Sequence, residues 1–238
     1  MIEYGFYTNK SILLTTINSI SMKKVLQKFS STLLLLAAVL CMNVTLRAQS
    51  DGWVSLFNGK SLDGWKVGDN ASTFSVDSGM IKVNGNTAHL FYDGPVNDHN
   101  FKNFEFKTDV MTKPHSNSGI YFHTQFQQSS WPAKGYEVQV NNSHTDWRRT
   151  GSLYGIDDVK EVIVPDNVWF TEYIKVVGKQ ITIKINDKVV VDYTEPDTIQ
   201  KPANGIGRFL SNGTFALQGH DPGSTVYFKN IMVKALPD

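Results

Sequence analysis

If Tyr136-Glu-Val-Gln-Val-Asn141 forms a strand, Glu137, Gln139 and Asn141 project from one face at successive steps of about 7 Å, because strand side chains alternate. Only the first of the three can ionise. A retaining glycosidase uses two carboxyl groups about 5 Å apart, one as nucleophile and one as acid. An amide can do neither job, so this strand does not favour an ordinary double displacement. Glu137 is left as a single general base, or as a carboxylate of a solvated strand face. His123 and His220 could join it in either of two ways. One is a metal set of two imidazoles and one carboxylate; the other is acid–base work near neutral pH. No tight ligand spacing separates these from two surface or hydrogen-bonded histidines. His89, His99, His115 and His144 lie at strand edges or in loops and receive no role.

The elements that must position these groups are strands. From Ser55 onward the apolar residues follow period two, and Gly, Asn, Asp and Pro interrupt them. Strands are expected over 53–57, 73–76, 79–83, 87–92, 102–111, 118–126, 135–141, 151–155, 169–178, 180–186, 188–193, 205–209, 214–218 and 225–235. Asn58-Gly59, Asp63-Gly64, Asn84-Gly85, Gly178-Lys179, Asn186-Asp187 and Asn212-Gly213 supply the turns between them. With no three-turn helix to punctuate the series, the fold class is all-β. The expected architecture is a concanavalin A-like jelly-roll sandwich of two antiparallel sheets.

Splitting the strands by face sharpens the reading. Phe104, Phe106, Thr108 and Val110 oppose Glu105, Lys107 and Asp109; Ile120, Phe122 and Thr124 oppose Tyr121, His123 and Gln125; Leu217 and Gly219 oppose Gln218 and His220. A merely wet face would be met by Lys, Glu, Thr and Ser. Tyr, His, Gln, Asn and isolated carboxylates instead suit hydrogen bonding to a sugar, so neighbouring strands of this kind would form a concave polar sheet. Trp131, Trp147 and Trp169 are either stacking platforms or core residues.

The rest of the chain narrows the classes. Met22-Lys23-Lys24, an apolar run over 33–46 and Arg47-Ala48-Gln49-Ser50 follow the order of a secretory leader, shorter than the ~20 apolar residues of a membrane span. Residues 1–48 are therefore expected to be a leader preceded by an N-terminal extension of the gene model, and 49–238 one exported domain, bound for the periplasm, the cell surface or the medium. Cys41, the sole cysteine, allows a lipid anchor as the second choice, disfavoured by Leu40 before it, and excludes disulfides from the mature part. The formal net charge is +1 and no basic runs occur, which argues against nucleic acid and against an electrostatic membrane partner. There is no Gly-rich phosphate loop and no strand-to-helix nucleophile elbow.

Five stretches carry a resemblance: Trp53-Val-Ser-Leu-Phe-Asn-Gly-Lys-Ser-Leu-Asp-Gly-Trp65, Asn117-Ser-Gly-Ile-Tyr-Phe122, Gly135-Tyr-Glu-Val-Gln-Val140, Thr150-Gly-Ser-Leu-Tyr-Gly155 and Val226-Tyr-Phe-Lys-Asn-Ile231. In this order the sequence resembles the 3-keto-disaccharide hydrolase domain family of exported bacterial proteins. The resemblance implies the sandwich fold and a carbohydrate substrate whose 3-hydroxyl has been oxidised to a ketone. It also implies base-triggered elimination followed by hydration. Glu137 would be the base, with His123 or His220, directly or through a divalent metal, holding the enolate. Gln139, Asn117, Tyr121, Tyr154, Gln218 and Asp109 would place the sugar. Departures from the family pattern fall at His123, at Trp169-Phe170 and between Gly205 and His220. A non-catalytic carbohydrate-binding module of the same fold is the alternative.

Overall fold

The computed structural model describes residues 51–238; the expected leader and extension, with Cys41, lie outside them. Thirteen strands run in chain order: β1 (Val54–Ser55), β2 (Trp65–Val67), β3 (Phe74–Asp77), β4 (Met80–Val83), β5 (Ala88–Tyr92), β6 (Asn103–Thr112), β7 (Ser118–Thr124), β8 (Tyr136–Val140), β9 (Phe170–Val177), β10 (Gln180–Ile185), β11 (Lys188–Thr194), β12 (Thr214–Gly219) and β13 (Val226–Leu236). They form two antiparallel sheets. The larger is ordered β11-β10-β9-β6-β13-β4-β3, with β1 also on β13, and the smaller β2-β5-β12-β7-β8. This is the expected two-sheet sandwich. No helix among the described residues is long and apolar enough to cross a membrane.

Alternation in the larger sheet builds the core. In β6 every second residue is buried, so Phe104, Phe106, Thr108 and Val110 point inward while Glu105, Lys107 and Asp109 stay half-exposed. Phe215 of β12 fills the space opposite, with its ring 4.9 Å from Phe104 and 4.7 Å from Phe106. Tilted and edge-on pairs of this kind add to the free energy of burial. In β13 a bulge between Lys229 and Met232, with Asn230 at a positive φ, shifts the inward set from Val226 and Phe228 to Ile231 and Val233.

The smaller sheet departs from simple alternation. Strands β5, β7 and β12 are buried on both faces. One face meets the core; the other lies beneath the segments that follow β7, β8 and β11. That second face bears the polar residues, so its side chains are not those of a bathed sheet.

Two of the expected strands are absent and one is gained. Residues 151–155 run beside the edge of β8, bonding Gly151 N–H to the Gln139 carbonyl and Tyr154 N–H to that of Glu137, but only Leu153 forms bridges. Gly151 and Gly155, both at positive φ, break any longer ladder. Residues 205–209 belong to the segment between β11 and β12. Strand β2 is three residues long, too short for alternation to reveal it.

Candidate functional site

Strand order brings the polar faces together. Because β12 inserts between β5 and β7, Gln218 comes beside Glu137, 81 positions away in the chain. Asn117, Tyr121, Glu137, Gln139 and Gln218 then line a cleft of about 310 Å³, at the small end of the ~300–1,000 Å³ usual for small-molecule sites. Trp131, Pro132 and Gly135 from the β7–β8 segment, Asp146 and Tyr154 from the β8–β9 segment, Arg208 from the β11–β12 segment and His220 just past β12 complete the walls. Trp131 remains 45% exposed, leaving much of the indole open to solvent at this wall.

The Glu137 carboxylate is pinned. Tyr121 donates its hydroxyl to Oε2 at 2.7 Å, and the Gln218 amide donates to Oε1 at 2.7 Å. Burial pushes the Glu137 carboxyl above its ordinary value of 4.5. The two donated hydrogen bonds and the nearby Arg208 and His220 pull the other way. Gly119 faces this carboxylate from β7, and a Cβ there would stand 2.5 Å from Oε1. Absence of a side chain at 119 is thus what gives Glu137 its place.

The amides lie around it with unused capacity. Gln139 Nε2, Gln218 Oε1 and Asn117 Oδ1 are buried without a partner, an arrangement that costs free energy unless something else supplies the bonds. His89, on β5, shares the condition at Nε2. Its ring sits edge-on to Tyr121 at 5.3 Å and to Trp131 at 5.5 Å, and burial lowers its pKa to about 4. The third residue of the strand triplet has another job. Asn141 donates to the Asp146 and Arg148 carbonyls and accepts from the His144 N–H, bracing the segment that carries Asp146 to the cleft.

Arg208 donates to the Tyr154 carbonyl. Its segment is tied down by Glu195, whose carboxylate accepts from Tyr136 Oη at 2.8 Å and from Leu210 N–H, and lies 3.1 Å from Lys201 Nζ. Asp146 accepts from Tyr154 Oη at 3.3 Å and from the Arg148 backbone N–H at 3.0 Å. It is a paired anion of the wall.

Two residues expected here lie elsewhere. His123 has a positive φ and sits in a bulge: Thr214 pairs with Thr124, but Ala216 pairs with Tyr121, so β7 carries one extra residue. The bulge turns His123 out of the face it would share with Tyr121. Its ring packs edge-on against Phe104 and Phe122, donates from Nε2 to the Lys102 carbonyl and accepts at Nδ1 from Ser211 N–H. Burial lowers its pKa to about 4. Asp109 is on the outer face of the larger sheet, where it accepts from Thr171 and Asn230. A ligand set of Glu137, His123 and His220 therefore does not assemble. A different trio does converge: His144, His220 and Asp221 place one ligand atom each within 4.8 Å of one another.

Arg208, Asp146 and Asp221 were not expected from alternation, since all three stand on connections between strands. For Asp221 a signal existed: Asp221-Pro222-Gly223 directly after a candidate histidine is turn chemistry that fixes a carboxylate. Trp147, 47% exposed, lies over Arg148, and Trp169 lies beneath Lys229; neither lines the cleft.

Residues 52–234 match the model of the 3-keto-alpha-glucoside-1,2-lyase-like domain, and the chain belongs to that family. It is 27% identical to a 3-keto-disaccharide hydrolase of Bacteroides thetaiotaomicron over 82% of each chain. Among solved structures, a candidate glycosyl hydrolase of Parabacteroides distasonis superposes with a TM-score of 0.65 at 22% identity, covering 79% of this chain and 96% of that one. A carbohydrate-binding module of Bacillus subtilis superposes at 0.52 with 14% identity, over 72% and 96% of the respective chains. At these identities the two structures bear on the fold alone.

Proposed function

We propose that this member of the 3-keto-alpha-glucoside-1,2-lyase-like family cleaves glycosides whose C3 hydroxyl has been oxidised to a ketone, by elimination followed by hydration. The observation that carries the reading is the single pinned carboxylate. Glu137 stands among amides, while Asp146 is engaged by Tyr154 and Arg148. A double displacement needs a second carboxylate set against the anomeric carbon. Elimination needs only a base, a partner for the developing oxyanion and a proton donor.

The steps balance without an oxidant. The C3 ketone acidifies the C2 proton; Glu137 takes it, and the electron pair forms the C2–C3 enolate. That pair then closes a C1–C2 double bond as the glycosidic oxygen leaves C1, restoring the ketone. His220 delivers the proton the departing oxygen needs. Water next adds across C1–C2, its hydroxyl to C1 and a proton from Glu137 to C2. The net change is hydrolysis to a 3-keto sugar and the freed alcohol. Gln139, Asn117, Tyr121, Tyr154 and Gln218 supply hydrogen bonds to hydroxyls, and Trp131 supplies an aromatic face for a sugar ring. The leader-like order of residues 22–48 supports placing this work outside the cytoplasm.

The test incubates the purified chain with a 3-keto disaccharide and with its unoxidised parent, and follows sugar release. Release from the keto compound alone, abolished in Glu137→Gln, is the expected result. Tight binding of both sugars with release from neither would instead make the chain a carbohydrate-binding module.

A further inference from the structure

His220 directly follows β12, and the next four residues hold a carboxylate against it. His220 Nδ1 lies 2.7 Å from Asp221 Oδ2, which also accepts from Ser224 Oγ at 2.9 Å, while Gly223 N–H donates to Oδ1 at 2.8 Å. Ser224 Oγ is free to donate because it accepts from the Asn117 N–H at 2.9 Å. On the other side, His144 Nδ1 accepts from the Asp146 N–H at 3.1 Å, which leaves the proton of that ring on Nε2, 3.9 Å from Asp221 Oδ2. Every donor and acceptor is then assigned by one protonation pattern: Asp221 ionised, His220 protonated at Nδ1, His144 at Nε2. Of the four ring nitrogens of these two histidines, the one left without a partner is His220 Nε2, on a residue that lines the cleft.

We infer that Asp221 is a positioning residue that fixes the His220 tautomer, so that Nε2 is the atom exchanging protons with the substrate. This rests on the elimination reading only for what His220 does, not for how it is held. When Nε2 carries a proton, Asp221 offsets the charge of the imidazolium from the Nδ1 side. Nε2 gives that proton to the departing glycosidic oxygen and recovers one from the water that attacks C1. Glu137 returns to C2 the proton it took, so both groups finish the cycle as they began. The same pattern disfavours a metal ion bridging the trio. Such an ion would need a bare Nε2 on His144, yet that nitrogen bears the proton while Nδ1 serves Asp146.

Long-range proton–nitrogen NMR of the full mature chain reads the two tautomers directly, with no substrate. Wild type is expected to show His220 protonated at Nδ1 and His144 at Nε2. Asp221→Asn should move the His220 proton to Nε2 and lower kcat on a 3-keto disaccharide by about 10²-fold or more, with KM changed little. Wild-type His220 in the Nε2–H form, or Asp221→Asn with undiminished kcat, overturns the inference. So does Zn²⁺ or Mn²⁺ that shifts the resonances of both histidines at stoichiometric concentration. Should wild type cleave no 3-keto sugar, the elimination reading fails, while the NMR spectra still decide how His220 is held.

Discussion

Gly119→Ala probes the site by one methyl group. Gly119 lies opposite Gln139 in the β7–β8 ladder, and its φ is not in the left-handed region, so alanine is acceptable to the backbone. The methyl would nonetheless meet Glu137 Oε1 at 2.5 Å, Cγ at 3.0 Å and Cδ at 3.1 Å. Restoring ordinary contact requires the carboxylate to retreat by about 0.9 Å, against hydrogen bonds that hold both oxygens. A misplacement of about 1 Å costs catalysis on the order of 10²-fold, or about 2.7 kcal/mol of barrier. Stability should barely register the change. Alanine in a strand gains roughly 0.5–1 kcal/mol over glycine, and losing the Gln218 bond costs about 1 kcal/mol. The expected outcome is kcat/KM on a 3-keto disaccharide reduced about 100-fold, with Tm within ~4 °C of wild type. If Gly119→Ala works within about threefold of wild type while Glu137→Gln is inactive, placement of the carboxylate by the bare glycine is refuted.

Three further outcomes follow from the same contacts. Glu172 is fully buried on β9 with neither oxygen bonded, and burial raises its pKa well above 4.5. Its folded pKa thus exceeds the unfolded one, so the stability it permits is whole below about pH 4.3 and declines by about 1.4 kcal/mol per pH unit as pH climbs toward the folded value. Glu172→Met should therefore be the more stable protein in urea denaturation, by a margin larger at pH 8 than at pH 4.5; an equal margin at both would contradict this. Glu195→Gln keeps one oxygen for Tyr136 Oη and Leu210 N–H, which share Oε2, but turns an NH2 toward Lys201 Nζ in place of Oε1 and removes the charge that pairs with it, loosening the segment that carries Arg208. The value of kcat/KM should fall about tenfold, chiefly through kcat, and Arg208→Ala should reproduce the fall; kinetics unaltered in both variants would remove Arg208 from the chemistry of the cleft. With Glu137 as base, the acid limb of kcat/KM should fall at a pH above 4.5, because burial raises that carboxyl; a limb at or below 4.5 would point to another base.

The fold was legible because its signal is local. Period two and turn residues act within a few positions, and they located twelve of the strands without any knowledge of pairing. The polar face was legible for the same reason: Tyr121, Glu137, Gln139 and Gln218 alternate with core residues whatever the neighbouring strand happens to be. Residues 151–155 alternate just as well, but Gly151 and Gly155 carry backbone angles that a ladder does not sustain. His123 departs from its expected face because alternation holds only along an unbroken pleat. One inserted residue reverses every face that follows it, and that residue is specified by the pairing of β7 with β12, not by the sequence around position 123.

What alternation supplied was half of a cleft, and the chemistry depends on the other half. A sheet face of amides around one carboxylate, open to water, would leave Glu137 an ordinary acid and its neighbours saturated by solvent. The segments after β7, β8, β11 and β12 change that by covering the face, burying Gln139 and Gln218 to 1–2% exposure and raising the Glu137 carboxyl. They also bring the only cations of the cleft wall, Arg208 and, when protonated, His220. A base whose proton affinity is raised by burial and a positive group for the oxygen that gains charge are what an enolate-forming reaction requires. The strands alone supply neither. Substrate preference within this fold should accordingly follow the lengths and anchors of these connections, Glu195 and Asp221 foremost, more than the face they cover.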